Sequence, residues 1–155
     1  MKKINRFMKK VLFLLLTVFS ISCGLVSSNE EPSKLWLTDI NQAIELSKET
    51  GKPIFAFFTG KEWCSWCKKL ENKILSKEVF IAYAKENLIL LELDFPRGRR
   101  NLPQEQTNLA RKFRIKGYPT VILMDSETNL LGKTGFESMT PQQYVENIQR
   151  MISKK

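Results

Sequence analysis

Two cysteines three positions apart, Cys64 and Cys67, lie in the run Trp63-Cys64-Ser65-Trp66-Cys67-Lys68-Lys69, and their type and spacing suit covalent redox chemistry. A third cysteine, Cys23, stands far upstream, and the 155-residue chain contains no histidine. Without an imidazole, Cys-His and Ser-His nucleophilic catalysis are excluded, as are most catalytic zinc sites. Zinc held structurally normally needs four Cys or His ligands, and the downstream domain offers two. No metal or cofactor is expected, and what remains is cysteine chemistry.

The pair follows a buried strand and opens a helix, which gives the two sulfurs different surroundings. At the first helical turn, unpaired backbone N–H groups and the positive end of the helix dipole stabilise a thiolate. Cys64 is thereby expected to fall from a pKa of about 8.5 into the range of ~3.5 to 7.5. Cys64 is the candidate nucleophile, and Cys67, one turn further in, is the candidate resolving thiol that attacks a mixed disulfide on Cys64. A purely structural bridge is the weaker reading, because so small a loop removes little unfolded-state entropy. Trp63 is read as a lid or packing residue beside the thiol. Trp66 is read either as a substrate contact or as a cover for Cys67, while Lys68 and Lys69 add positive potential or are ordinary solvated residues.

These residues need a sheet to hold them, and the pattern supplies one. Leu35 to Leu37 suits a short strand; Thr38 is a candidate N-cap for a helix to Thr50, with Ile40, Ala43, Ile44 and Ser47 on one stripe and Gly51 as its stop. Ile54 to Phe58 is a continuous apolar run, typical of a strand buried on both faces. After the cysteines, helical character extends to about Leu75. Ser76 is a candidate cap for a helix in which Val79, Phe80, Tyr83 and Ala84 share a face, and Leu88 to Leu93 reads as a second buried strand. A Pro, Gly and Arg-containing loop from Phe95 to Pro103 leads to a helix around Glu105 to Phe113. Strands at Thr120 to Met124 and Leu130 to Lys133 form a hairpin about the turn at Asp125 to Asn129. Thr140, Pro141 and Gln143 carry a capping-box start for a closing helix with Tyr144, Val145, Ile148 and Ile152. No internal repeat interrupts this order, which implies an α/β domain with a mixed sheet flanked by helices on both faces.

The N-terminal segment explains both the charge and the odd cysteine. Lys and Arg number 25 against 16 Asp and Glu, a net +9. Five of those cations, Lys2, Lys3, Arg6, Lys9 and Lys10, precede the apolar run Val11 to Ile21, whose eleven residues are too few to span a hydrocarbon core of roughly 30 Å. Residues 1–22 therefore read as a signal peptide, and Ser20-Ile21-Ser22-Cys23 resembles the lipobox of bacterial lipoproteins, with Ser20 where an aliphatic residue is usual. Cys23 is the expected lipidation site and residues 23–33 a flexible tether. Ordinary cleavage after Ser22 and an uncleaved anchor are the alternatives, and all three export the protein into a compartment where cysteine pairs can cycle. Without the signal, residues 23–155 carry +4, and the charge argument for nucleic acid dissolves. The remainder is uneven. Arg97, Arg99, Arg100, Arg111, Lys112, Arg114 and Lys116 against Glu105 give +6 over residues 97–116. That segment is either a solvated loop and helix face or a patch that steers acidic partners or rests on anionic headgroups.

The chain from about residue 34 to 152 resembles the thioredoxin-like superfamily: Trp-Cys-x-x-Cys-Lys follows a buried strand, and Gly117-Tyr118-Pro119-Thr120 precedes a later one. The resemblance implies a thioredoxin fold over residues 34–155. It further implies a cis Tyr118-Pro119 peptide bond whose backbone pairs with the substrate chain and whose ring keeps metal ions off the thiols. It is most similar to exported members with Trp-Cys-x-Trp-Cys-Lys-Lys, and to the periplasmic domain of disulfide reductases. Two departures stand out. The dipeptide is Ser65-Trp66 rather than Gly-Pro, and Ile54 to Phe58 lacks the acid that thioredoxins bury to deprotonate the second cysteine; Glu62, Glu92 and Asp94 are the candidate substitutes. The expected function is an exported, membrane-tethered and monomeric thiol–disulfide oxidoreductase. It would reduce protein disulfides and draw electrons from an upstream thiol donor. An oxidase or isomerase, and a non-catalytic binding module using Trp63 and Trp66, are the alternatives.

Overall fold

The computed structural model describes residues 35–98 and 102–153, so the expected signal peptide, the expected lipidation site Cys23, the expected tether, Arg99 and Arg100 lie outside the described residues. In chain order the elements are β1 (Trp36–Leu37), α1 (Ile40–Thr50), β2 (Ile54–Thr59), α2 (Ser65–Leu70) continued by a π-helical turn (Glu71–Leu75), α3 (Glu78–Asn87), β3 (Ile89–Asp94), α4 (Gln104–Lys112), β4 (Thr120–Met124), β5 (Leu130–Gly135) and α5 (Pro141–Ile152). The strands lie in the order β1-β3-β2-β4-β5. β1, β3 and β2 run parallel, whereas β4 is antiparallel to β2 and β5 to β4. This is the thioredoxin fold, a mixed five-stranded sheet with helices on both faces.

The continuous apolar run of β2 is explained by its central place, where every residue from Ile54 to Thr59 is buried. Alternate side chains feed two cores. Phe55 and Phe57, with Leu90, Val121 and Leu123, pack beneath α2, α3 and α5, and both cysteines belong to this layer. Ile54, Ala56 and Phe58, with Leu91, Leu93, Ile122 and Met124, pack against Ile40 and Ala43 of α1 and Leu109 of α4. The capping box of α5 forms as the sequence predicts: Gln143 N–H donates to the Thr140 hydroxyl oxygen, and the Gln143 side chain accepts from Thr140 N–H.

Three local expectations are corrected. The N-cap of α1 is Asp39 and not Thr38. Its carboxylate accepts from the N–H groups of Asn41 at 2.8 Å and Gln42 at 3.1 Å, a stronger acceptor than a hydroxyl. Ser76 does not cap α3, whose N-cap is Lys77 with no side-chain hydrogen bond; the Ser76 hydroxyl instead donates back to Asn72 O. Val79 is 43% exposed while Phe80 and Ala84 are buried, because α3 turns its Phe80 face to the sheet. Element ends otherwise move by one or two residues, with β2 reaching Thr59, β3 reaching Asp94 and β5 reaching Gly135.

Two substitutions test the cap assignment. Asp39→Ala is expected to lower the unfolding free energy by about 1 kcal/mol, and Thr38→Ala to leave it within about 0.5 kcal/mol. Urea melts of the two variants check this, and the reverse order would restore Thr38 as the cap.

Candidate active site

The register of the sheet gathers the site. Phe58 pairs with Thr120 across β2 and β4, so the C-terminal end of β2 meets the N-terminal end of β4. Cys64 follows the first of these ends by a short turn, and Pro119 immediately precedes the second. The turn is closed by Cys64 N–H donating to Gly60 O at 2.8 Å. Cys64 is then the N-cap of α2, with extended backbone angles, and Cys67 lies in the first turn.

The two sulfurs are joined in a disulfide with the Cα atoms 5.2 Å apart. Cys67 N–H donates to Cys64 Sγ at 3.1 Å. A backbone donor is thus already aimed at Cys64 Sγ, the sulfur placed at the helix N-terminus to carry negative charge. Cys67 is fully enclosed, and Cys64 retains 5% exposure.

The aromatic neighbours divide by role. Trp63 is a packing residue: its indole N–H donates to Phe95 O at 2.9 Å, and its ring meets Tyr118 edge-on with centroids 5.6 Å apart. Gly60 makes room for it, since a Cβ there would lie 2.6 Å from Trp63 Cζ2. Trp66 is 54% exposed and stands beside Phe136, centroids 5.4 Å apart. Tyr118 lies between Trp63 and Phe95, and burial pushes its phenol above the ordinary value. The Tyr118-Pro119 peptide bond is cis, and the Thr120 hydroxyl donates to Gly117 O at 2.8 Å. Gly135, paired with Thr120, permits that approach, because a Cβ on it would meet Pro119 O at 2.8 Å.

The three candidate acids are differently placed. Glu62 is exposed; Glu92 pairs with Lys61 Nζ at 2.7 Å, and the Asp94 carboxylate accepts from Lys61 N–H at 2.8 Å. Sequence reasoning missed Glu71. This acid lies four residues after Cys67, a spacing that puts both on one side of a helix, and its N–H donates to Cys67 O. Burial, and after it the charge of Glu92, holds the Glu71 carboxyl above the usual carboxylate range, and its Oε1 is enclosed with no hydrogen-bond partner among the described residues. A groove of about 250 Å³ bordered by Trp36, Lys61, Glu71 and Glu92 opens beside it. Of the basic segment, Arg97 lies over the Trp63 ring, Arg111 donates to Asn108 Oδ1 and Lys112 to the Thr128 hydroxyl.

A dithiol of this kind holds two electrons when open and gives them up as it closes, so by class the protein is a thiol–disulfide oxidoreductase. The chain belongs to the thioredoxin-like family, whose model matches residues 35–126. It is similar to the disulfide bond reductase DsbH of Chlamydia pneumoniae, 35% identical over 115 residues that cover 72% of this chain and 69% of the relative. A solved structure of DsbH oxidoreductase superposes with a TM-score of 0.69 at 32% identity, covering 77% of this chain and 85% of that one. Similarity extends to the thiol:disulfide interchange protein DsbD of Yersinia pestis (strain Pestoides F), 28% identical over 107 residues, 67% of this chain and 17% of that longer protein.

The raised Glu71 carboxyl links stability to pH. Its folded value lies above the ordinary 4.5, so between the two the folded state binds more protons than the unfolded one. Stability is lost as pH rises through that window. Glu71→Gln removes the effect, so its advantage over the parent is expected to be larger at about pH 7 than at about pH 4. Urea midpoints of the oxidised proteins at both pH values measure this; an advantage that shrinks with rising pH would contradict the burial of Glu71.

Proposed function

We propose that the protein is exported under the direction of residues 1–22, anchored through a lipid on Cys23, and works in the cell envelope as a monomeric reductase of protein disulfides. The observation that carries the chemistry is the Cys67 N–H aimed at Cys64 Sγ, beside a fully enclosed Cys67. The direction is supported by the similarity to a protein named disulfide bond reductase.

In this reading the open form presents Cys64 as thiolate. It attacks one sulfur of a substrate disulfide; that S–S bond breaks, a Cys64–substrate disulfide forms, and the departing thiolate takes a proton from solvent. Cys67 then loses its proton and attacks Cys64 Sγ, releasing the second substrate thiol and closing the Cys64–Cys67 bond. The substrate gains two electrons and two protons, and an upstream dithiol donor must return two electrons before the next cycle. Glu71 is suited to take the Cys67 proton, because its raised pKa brings it nearer to that of a thiol and it follows Cys67 by one turn. The cis Tyr118-Pro119 segment offers backbone for pairing with the substrate strand, and no nucleic acid takes part.

Two measurements test this. The reduction potential of the pair against glutathione is expected near the ~−270 mV of thioredoxin, and a value near ~−120 mV would make the protein an oxidase. In parallel, Cys67→Ala should accumulate mixed disulfides through Cys64 that vanish in the Cys64→Ala/Cys67→Ala pair. Their absence would leave only a binding module on a redox fold.

The address is tested separately. Cys23→Ala is expected to move the protein from the membrane to the soluble fraction of the envelope, and retention in the membrane would point to an uncleaved anchor.

A further inference from the structure

The two tryptophans that flank the cysteine pair each carry a cation. Arg97 Cζ lies 4.9 Å from the centroid of the Trp63 ring. Lys69 Nζ lies 4.4 Å from that of Trp66 and 5.7 Å from that of Phe136. Among the described residues neither cation has a carboxylate partner, unlike Lys61, which is held by Glu92. Both therefore remain free to meet an incoming anion while their rings fix where they stand.

Their separation follows from the strand order. Trp63 is tied to Phe95, which follows β3; Trp66 is tied to Phe136, which follows β5; β2 and β4, which lead to Cys64 and from Pro119, lie between. Three strand spacings of about 4.8 Å put the strand ends that anchor the two platforms roughly 14 Å apart, the length of about four extended residues. An extended substrate with its cysteine over Cys64 would then set its residues two before and two after that cysteine near the platforms. Alternation along an extended chain brings those two side chains to the same face as the cysteine. The nearby acids do not cancel the rim: Glu62 and Glu137, the latter accepting from the neutral Thr134 hydroxyl and so still charged, stand against the three cations Lys68, Lys69 and Arg97, which leaves a positive excess.

We propose that Lys69 and Arg97 form a cationic rim that selects disulfide substrates with a carboxylate two residues before and two residues after the reacting cysteine. The inference rests on the oxidoreductase reading above, and it assigns that site a substrate class. Rim charges of this sort act through encounter rate and are screened by salt.

The test uses three peptides, Asp-Gly-Cys-Gly-Asp, Lys-Gly-Cys-Gly-Lys and an all-glycine version, each joined through its cysteine to 5-thio-2-nitrobenzoate. The reduced protein attacks the peptide sulfur and expels the coloured thiolate. Each rate is divided by that of dithiothreitol on the same peptide, which removes the intrinsic effect of the flanking charges. At low ionic strength the acidic peptide is expected to react about tenfold faster than the basic one after this correction, with the ratio falling towards one in about 0.5 M salt. Lys69→Gln/Arg97→Gln should bring the ratio to within about twofold, and Lys69→Glu/Arg97→Glu should invert it. Equal corrected rates in the parent, or a ratio unchanged in both double variants, overturn the rim alone. Silence towards all three peptides overturns the oxidoreductase reading and the rim with it.

Discussion

The antiparallel pairing of β2 with β4 is the constraint on which the site depends. In the register Phe58↔Thr120, the strand that leads to Cys64 finishes at the end of the sheet where the strand that follows Pro119 begins. A shift by one residue would exchange the two faces of β2, moving Phe55 and Phe57 from the layer beneath α2 into the layer beneath α1. The helix that carries Cys67, Leu70 and Ile74 would then lose the surface it packs on. Redox geometry and core packing are therefore one requirement, enforced by apolar burial on both sides of a central strand.

A second set of contacts extends this order to the loops. Phe58, Phe95, Tyr118 and Trp63 form a chain of rings with centroid separations of 6.1, 5.3 and 5.6 Å. It starts in the α1-side core and ends beside Cys64. The indole hydrogen bond to Phe95 O fixes the end of that chain. At the other side, Gly135 lets β5 approach the Pro119 carbonyl, and the loop after it delivers Phe136 to Trp66. The short turn between β2 and α2 is thus held from two directions, which is what a covalent reaction at a fixed sulfur needs.

Signals carried within a few residues were legible in the sequence. The apolar run of β2, the Thr140/Gln143 capping box and the position of the cysteines at a strand-to-helix junction all depend on local pattern, and the structure has each of them. The cis Tyr118-Pro119 bond came from family resemblance rather than from any local signal. What escaped depends on contacts distant in the chain. Gly135 is needed because Pro119, well upstream in the chain, crosses beside it, and Phe136 meets Trp66 although most of the domain's sequence lies between them. Thr38 and Asp39 are both good caps by type, and only the backbone shows which stands at the cap position. Ser76 failed for a related reason: its hydroxyl was taken by the turn before it.

The absence of an acid from β2 follows from the same packing. A carboxylate on β2 would have to sit among Phe55, Phe57 and Phe58, all at most 1% exposed, where ionisation costs several kcal/mol without a partner. This β2 is apolar from Ile54 to Phe58, and the carboxyl nearest to Cys67 in the chain is supplied by the helix instead, at Glu71. There a groove lined in part by Lys61 and Glu92 leaves it only half-buried, so its pKa rises without the carboxyl becoming permanently neutral. Lys61 is itself tied down: the Glu92 hydrogen bond raises its pKa, and its backbone N–H is held by Asp94. In the proposed cycle, this half-buried acid, whose ionisation Lys61 favours and burial and Glu92 oppose, is the group suited to take the Cys67 proton.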